Sequence, residues 1–229
     1  NIQYRFIFFL TFFQFPLHNQ DFIDEKGICI GDRVIIRKAG DIIPEVLSVV
    51  SHGENAVPYK LPEVCPSCGG KVTREDGEAA LRCCNPDCPN QLLRNLIHFC
   101  SRDAMDIEGL GTAVLETLVK ENLIKTAADI YTLRKEDIAK IERMGEKSAQ
   151  NLIDAAEKSK SNDLAKLIYA LGIRHIGQKA GKLLSDRFGT MDKLMSASTE
   201  EIASIEGFGQ IMAESVTDFF SHQESREGL

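Results

Sequence analysis

The 229-residue chain lacks long apolar runs, low-complexity tracts and any excess of positive charge. Its most apolar stretch, Phe6-Ile-Phe-Phe-Leu-Thr-Phe-Phe13, is far shorter than the roughly 20 residues a membrane-spanning helix needs. It follows Arg5 as the apolar part of a secretory leader would, but no small-residue cleavage site comes after it. Residues 1–16 are therefore read as an atypical segment, with a strand of a cut domain as the remaining reading, and a first residue Asn1 instead of Met suggests a truncated start. No disordered tail is evident, and 43% hydrophobic content over this length suits soluble globular structure in more than one small domain. The net charge of −7 gives no global field to attract a polyanion, so the distribution of charge matters more than its sum. Residues 141–187 are the only net-positive stretch, with nine basic against six acidic side chains, whereas 188–229 hold two against eight.

What is present is a pattern that recurs four times: Ile107-Glu-Gly-Leu-Gly111, Ile141-Glu-Arg-Met-Gly145, Ile173-Arg-His-Ile-Gly177 and Ile205-Glu-Gly-Phe-Gly209. The last glycines fall 34, 32 and 32 positions apart, which marks one supersecondary unit used repeatedly. Apolar helical runs follow, as in Ala149 to Ala156 and Ala180 to Leu184, so each unit reads as helix, tight glycine hairpin, helix. Glycine suits such a hairpin because it reaches positive φ without strain and lets another molecule approach the backbone. The N-terminus of the second helix would then form an anion site, and the polymeric anion it fits is a nucleic-acid backbone. The repeats resemble the helix-hairpin-helix units of DNA repair and replication proteins. Two or three of the four are expected to touch phosphate. The candidate DNA-binding residues are Gly109 and Gly111; Arg143, Gly145 and Lys147; Arg174, Gly177, Lys179 and Lys182; and Gly207 and Gly209.

Cys65-Pro-Ser-Cys68 and Cys83-Cys-Asn-Pro-Asp-Cys88 are separated by fourteen residues. Two close thiolate pairs brought together by a short hairpin supply the tetrahedral sulfur set of structural zinc, with Cys65, Cys68, Cys83 and Cys88 as ligands. Cys84 is the alternative to Cys83. Four thiolates leave no open position for water, so this metal would hold the fold and do no chemistry. Disulfides compete poorly with this reading, because the cysteines total an odd seven and no convincing leader precedes them. The strands of the module are placed at Lys71 to Arg74 and Ala79 to Arg82. Cys29 and Cys100 read as small buried hydrophobes.

Between Gly31 and Val50 two β-branched strands flank an Ala39-Gly40-Asp41 turn, as in a small barrel. Pro44 puts the second strand's start at an edge or bulge. Arg37 and Lys38, with Arg33 nearby, are either a solvated strand face or a phosphate-facing surface of an oligonucleotide-binding barrel.

In order, the parts resemble the C-terminal half of the bacterial NAD-dependent DNA ligase family. The resemblance covers nearly everything from Leu17 to about Phe220. It rests on Leu17-His-Asn19, Arg37-Lys-Ala-Gly-Asp-Ile-Ile-Pro44, Glu78-Ala-Ala-Leu-Arg-Cys83, Cys88-Pro89, Met105-Asp-Ile-Glu-Gly-Leu-Gly111, Glu142 to Ala149, Leu171 to Gly177 and Ile205 to Gly209. It implies a mainly α fold with a small β part: partial OB-fold over 17–60, four-cysteine zinc finger over 61–90, four tandem helix-hairpin-helix repeats over 91–222, and a tail over 223–229. It further implies nick sealing in replication and repair, with AMP from NAD carried first on a lysine and then on the DNA 5′-phosphate, and Mg2+ used by the complete enzyme. The implied partner is nicked duplex DNA in the bacterial cytoplasm at the nucleoid, with no membrane. The barrel would press the minor groove while the hairpins grip both strands.

The family's adenylation lysine sits in a Lys-x-Asp-Gly motif of an upstream domain, and no such motif occurs here. Arg74-Glu-Asp-Gly77 comes nearest, but arginine stays protonated and cannot act as the nucleophile. The chain alone is expected to bind DNA without forming an adenylate, the missing N-terminal adenylation domain being joined in cis if the start is truncated. The alternative is a stand-alone, non-catalytic zinc and hairpin clamp. An excision-nuclease end does not predict zinc before four hairpins, and Met144-Gly-Glu-Lys-Ser148 fails as a phosphate loop because Glu146 stands where glycine is needed. His98 is expected to pack and not to ligate metal. His175 either approaches phosphate or sits in solvent, and Asp103, Asp106 and Glu108 read as helix caps.

Overall fold

A computed structural model describes residues 16–39, 43–74, 77–141 and 144–222. The atypical segment up to residue 15, the turn residues Gly40 and Asp41, Arg143 and the tail beyond residue 222 lie outside the described residues. The chain divides into two compact units, residues 1–86 and 87–229.

Among the described residues, the first unit is built from one short helix and three two-stranded antiparallel sheets. Helix α1 (Gln20–Lys26) starts where the Asn19 side chain accepts from the Phe22 N–H at 2.9 Å, and stops at Gly27 with φ 61°. This helix was not expected from the sequence, since two turns are too short to show a period. Strand β1 (Cys29–Ile30) pairs with β4 (Val57–Pro58), and β2 (Arg33–Ala39) with β3 (Ile43–Ser51). Pro44 stands opposite Lys38 near the start of β3, consistent with its missing donor. Ile23, Ile28 and Val46 form a small core, against which Leu17, Phe22, Val34, Val49 and Tyr59 pack. Ile35, Ile36, Leu47 and Val50 stay largely exposed. The third sheet joins β5 (Val72–Arg74) to β6 (Leu81–Cys83) in register Val72↔Cys83. Its strands are shorter than the sequence suggested and the second begins two residues later. Arg74 reaches Asp21 through both terminal nitrogens at 2.7 and 2.5 Å, tying the hairpin to α1.

The second unit is helical. Helix α2 (Pro89–Cys100) begins with proline at its first position, where the absent N–H costs nothing. Then follow α3 (Thr112–Lys120), a 3-10 turn (Ala128–Thr132), α4 (Lys135–Ile138), α5 (Glu146–Ser159), α6 (Leu164–Ala170), α7 (Gln178–Phe188), α8 (Met191–Met195), α9 (Thr199–Ala203) and α10 (Gln210–Ser221). Two apolar clusters organise them. One gathers Leu96, Phe99, Leu115, Leu118, Ile130, Ile138, Leu152 and their neighbours around the first two hairpins. The other gathers Ile173, Ile176, Leu184, Leu194, Ile202, Val216 and Phe220 around the last two. Helix α6 serves both, with Ala170 in the first cluster and Ile168 in the second. The four repeats are thus packed as two pairs. His98 holds α2 to α6, its Nε2 lying 2.8 Å from the Tyr169 carbonyl and its ring set edge-on to Tyr169 at 4.7 Å. Buried Ser159 is satisfied by the Ala156 carbonyl and the Tyr131 hydroxyl. Burial pushes the Cys100 thiol up to about 12, so it stays protonated and inert at neutral pH. Among the described residues no helix is long and apolar enough to cross a membrane.

Candidate metal centre and nucleic-acid interface

The sulfurs of Cys65, Cys68, Cys83 and Cys88 all lie within 4.8 Å of one another. The Cys68 and Cys83 sulfurs are 3.4 Å apart, close to the edge of about 3.8 Å expected for a tetrahedron with 2.3 Å zinc–sulfur bonds. Each Cys pair is shaped by the same local device. The Gly70 N–H donates to Cys68 Sγ and the Asn85 N–H to Cys83 Sγ, both at 3.4 Å, which stabilises thiolate at the two positions. The turn closes through Gly69, at φ 71°, donating to the Cys65 carbonyl at 2.8 Å. Gly70 is fixed by space: a Cβ there would meet Asn85 at 3.0 Å and Cys68 Sγ at 3.2 Å. Cys84 points elsewhere, exposed and 2.8 Å from the Thr73 hydroxyl, so it stands outside the cluster. Four converging sulfurs without competing carboxylates are the donor set that zinc prefers.

The four hairpins share one geometry. In each, the fourth residue's N–H donates to the first residue's carbonyl: Leu110 to Ile107 at 3.4 Å, Met144 to Ile141 at 2.9 Å, Ile176 to Ile173 at 3.0 Å and Phe208 to Ile205 at 2.9 Å. Those two apolar residues anchor the turn, and Ile107, Leu110, Ile141, Ile173, Ile176 and Phe208 are buried. The last glycine then caps the following helix, its carbonyl accepting from Leu115, Ala149, Gly181 or Ala213.

The backbone corrects the role expected for that glycine. Gly111, Gly145, Gly177 and Gly209 are extended, with φ between −74° and −94°. In the three motifs whose third residue is described, that residue is the left-handed one: Gly109 at φ 92°, His175 at 63° and Gly207 at 88°. Positive φ therefore explains Gly109 and Gly207 but not the capping glycines. Packing does not explain them either, since a Cβ on Gly111, Gly145, Gly177 or Gly209 would meet nothing within 4 Å. Four other helices use side chains at this position, Asn19, Asp163, Thr190 and Ser198 each accepting from a first-turn N–H, whereas α2 and α4 have no side-chain cap. The four hairpin helices have no side-chain cap. At the positive end of each helix dipole the first-turn N–H groups thus meet no capping side chain, although those of Val114 and Met212 donate to the Gly111 and Gly209 carbonyls at 3.1 Å.

Cations are distributed unevenly around these ends. Lys147 and Lys179 are exposed on the first turns of α5 and α7. Lys182 is exposed one turn further and meets Asp186 at 3.3 Å, and Arg174 is half-buried in the third hairpin. The equivalents of Lys147 and Lys179 in the first and last repeats are Ala113 and Ile211, and those hairpins carry Glu108 and Glu206. In the first unit, Arg37 is engaged across the ladder by Glu45, while Lys38 stays exposed. His175 is exposed, and Asp106 itself takes φ 53°, so it does not cap a helix. Cys29 is half-buried beside Asp32 and His52, a grouping that sequence reasoning missed because His52 lies twenty-three residues from Cys29.

Comparison with known proteins places these features in a family. Residues 13–57 match the NAD-dependent DNA ligase OB-fold domain and 64–89 the NAD-dependent DNA ligase C4 zinc finger domain. Residues 101–158 match a SAM-like helix-hairpin-helix tandem and 166–229 a helix-hairpin-helix motif, the same two pairs that the apolar clusters define. The DNA ligase of Acetivibrio thermocellus is 53% identical over 215 residues, 92% of this chain and 32% of that protein. Those of Heliobacterium modesticaldum and Pelotomaculum thermopropionicum are 52% and 50% identical, over 92% of this chain and 32% and 31% of theirs. The chain thus spans about a third of the length of the curated relatives it matches. Over the matched residues, it carries the OB-fold and C4 zinc-finger domains of the NAD-dependent DNA ligases, followed by helix-hairpin-helix domains.

Proposed function

We propose that this chain is the DNA-gripping part of an NAD-dependent DNA ligase that seals nicks during replication and repair in the bacterial cytoplasm. The observation that carries the reading is the set of four helix N-termini left without a side-chain cap behind glycines that neither backbone angle nor packing requires. A phosphate oxygen fits there: it accepts several N–H donors, and a bare glycine lets it come close. Gly145 and Gly177, with Lys147, Lys179, Lys182 and Arg174 around them and Arg143 two residues before Gly145 in sequence, form the stronger half of this grip. Gly109, Gly111, Gly207 and Gly209 form a weaker half without lysines, and Lys38 adds a contact from the OB-fold.

Cys65, Cys68, Cys83 and Cys88 would hold a zinc ion whose role is structural, cross-linking the two cysteine turns. NAD and Mg2+ belong to chemistry for which this chain offers no Lys-x-Asp-Gly nucleophile, so its own residues bind and position nicked duplex DNA and leave adenylyl transfer to the rest of the enzyme. The test has two arms. Mobility-shift titrations of the chain with nicked duplex at several salt concentrations should show binding that weakens steeply with salt. Incubation with NAD labelled in its adenylyl group should leave the chain unlabelled. Covalent label, or an absence of DNA binding at low salt, overturns the reading.

A further inference from the structure

The first unit carries a second cluster of metal-ligating side chains, separate from the four cysteines. One ligand atom each from Cys29, Asp32 and His52 lies within 4.8 Å of the others. We propose that these three residues form a second metal site, which takes an exchangeable zinc-class divalent ion and leaves its fourth position open.

The backbone builds the cluster. The turn after β1 brings the Asp32 N–H to the Cys29 carbonyl at 3.3 Å, and the Cys29 N–H donates back to Asp32 Oδ2 at 2.7 Å. The other carboxylate oxygen lies 2.8 Å from His52 Nδ1. Gly53 brings the end of β3 against this turn, where a Cβ would stand 2.7 Å from the Gly31 carbonyl oxygen. Any larger residue at position 53 would push His52 away. The Asp32 side chain is 1% exposed while the His52 side chain is 59% exposed, so the carboxylate forms the floor and the imidazole the lid. Burial opposes the charged form of Asp32, yet the Cys29 N–H and the His52 ring hold its carboxyl below the ordinary range.

The donor set selects the metal. One thiolate, one imidazole and one carboxylate match the mixed sulfur, nitrogen and oxygen ligation of zinc, whereas magnesium and calcium take oxygen. Thiolate and carboxylate together neutralise a divalent ion. Ligand atoms around tetrahedral zinc stand about 3.3–3.8 Å apart, a spacing reached by rotating the exposed His52 ring and the Cys29 thiol. Three protein ligands and a solvent-facing lid make the ion exchangeable, in contrast to the closed set of four cysteines.

The experiment uses the full chain carrying one tightly held zinc, titrated with Co2+ alone and followed by its thiolate-to-cobalt absorption. The expected result is one further equivalent bound with a single-thiolate band. That band is lost in Cys29→Ser, and the apparent dissociation constant rises at least about tenfold in His52→Gln. His52→Gln alters an exposed side chain, so its melting temperature without added cobalt should equal that of the unaltered chain. Cys84→Ser controls for the other exposed thiol and should change nothing. Absence of the band, its survival in Cys29→Ser, or its loss in Cys84→Ser overturns the proposal.

Discussion

The two units of this molecule reach order by different means. Residues 87–229 bury two continuous apolar clusters, with Leu115, Leu118, Ile130, Ile138, Leu184, Leu194, Ile202 and Val216 at 1% exposure or less. Among the described residues, the first unit buries Ile23, Ile28 and Val46 in one small cluster and leaves Ile35, Ile36, Leu47 and Val50 in contact with solvent. A helical array buries an apolar stripe within each repeat pair, whereas short two-stranded sheets need something beyond their own side chains to be stable. In the zinc finger that something is sulfur ligation, helped by the Arg74–Asp21 pair. The lesson is that one chain can depend on packing at one end and on metal at the other, so a single perturbation should not affect both equally.

Metal removal should break the comparison most strongly. Binding of structural zinc is worth on the order of 10 kcal/mol to a small module. Chelation, or Cys68→Ser, is expected to unfold residues 64–89 while the helical circular dichroism of the hairpin array persists. Equal loss of helix would mean that the array depends on the metal too. Next come the cores: Leu115→Ala and Leu184→Ala should each cost about 2–5 kcal/mol in urea denaturation, because each empties a fully buried site. Ile35→Ala, at an exposed site of the first unit, should fall within about 0.5 kcal/mol. A third, functional change sharpens the contrast among hairpins. Lys179→Ala should lower the salt slope of DNA binding by about 1 without altering the melting temperature. Ile211→Ala, at the equivalent position of the last hairpin, should leave the slope unchanged. A small gain is expected from His175→Gly, which relieves a left-handed residue and should raise stability by about 1 kcal/mol in thermal unfolding.

Much of this was legible in the sequence, for physical reasons. The four hairpins announced themselves because Ile and Gly recur at fixed offsets, and the cysteine cluster because ligand spacing is a local property. The pairing of repeats was not legible, since it depends on which cluster each face of α6 joins. The role of the capping glycines was misjudged as well: the first and last motifs carry two glycines each, and the sequence does not say which one turns left-handed. His175 in the third hairpin, where two other copies have glycine, was the available clue to the left-handed position. Helix α1 escaped because its signals are a cap at each end and no period. The grouping of Cys29 with Asp32 and His52 comes from a long-range backbone approach at Gly53, which no local spacing encodes.

The central claim is that the capping glycines serve a bound phosphate and not the fold. The direct test replaces Gly145 and Gly177 together by serine and measures thermal unfolding beside nicked-DNA affinity. Serine is a good N-cap and the space at both positions is open, so the melting temperature should hold or rise slightly. The hydroxyl would occupy the N–H groups and the phosphate's space, so affinity should fall by at least about tenfold, 1.4 kcal/mol. Unchanged affinity in a folded variant would contradict the account, and so would a collapse in stability, which would make the glycines structural.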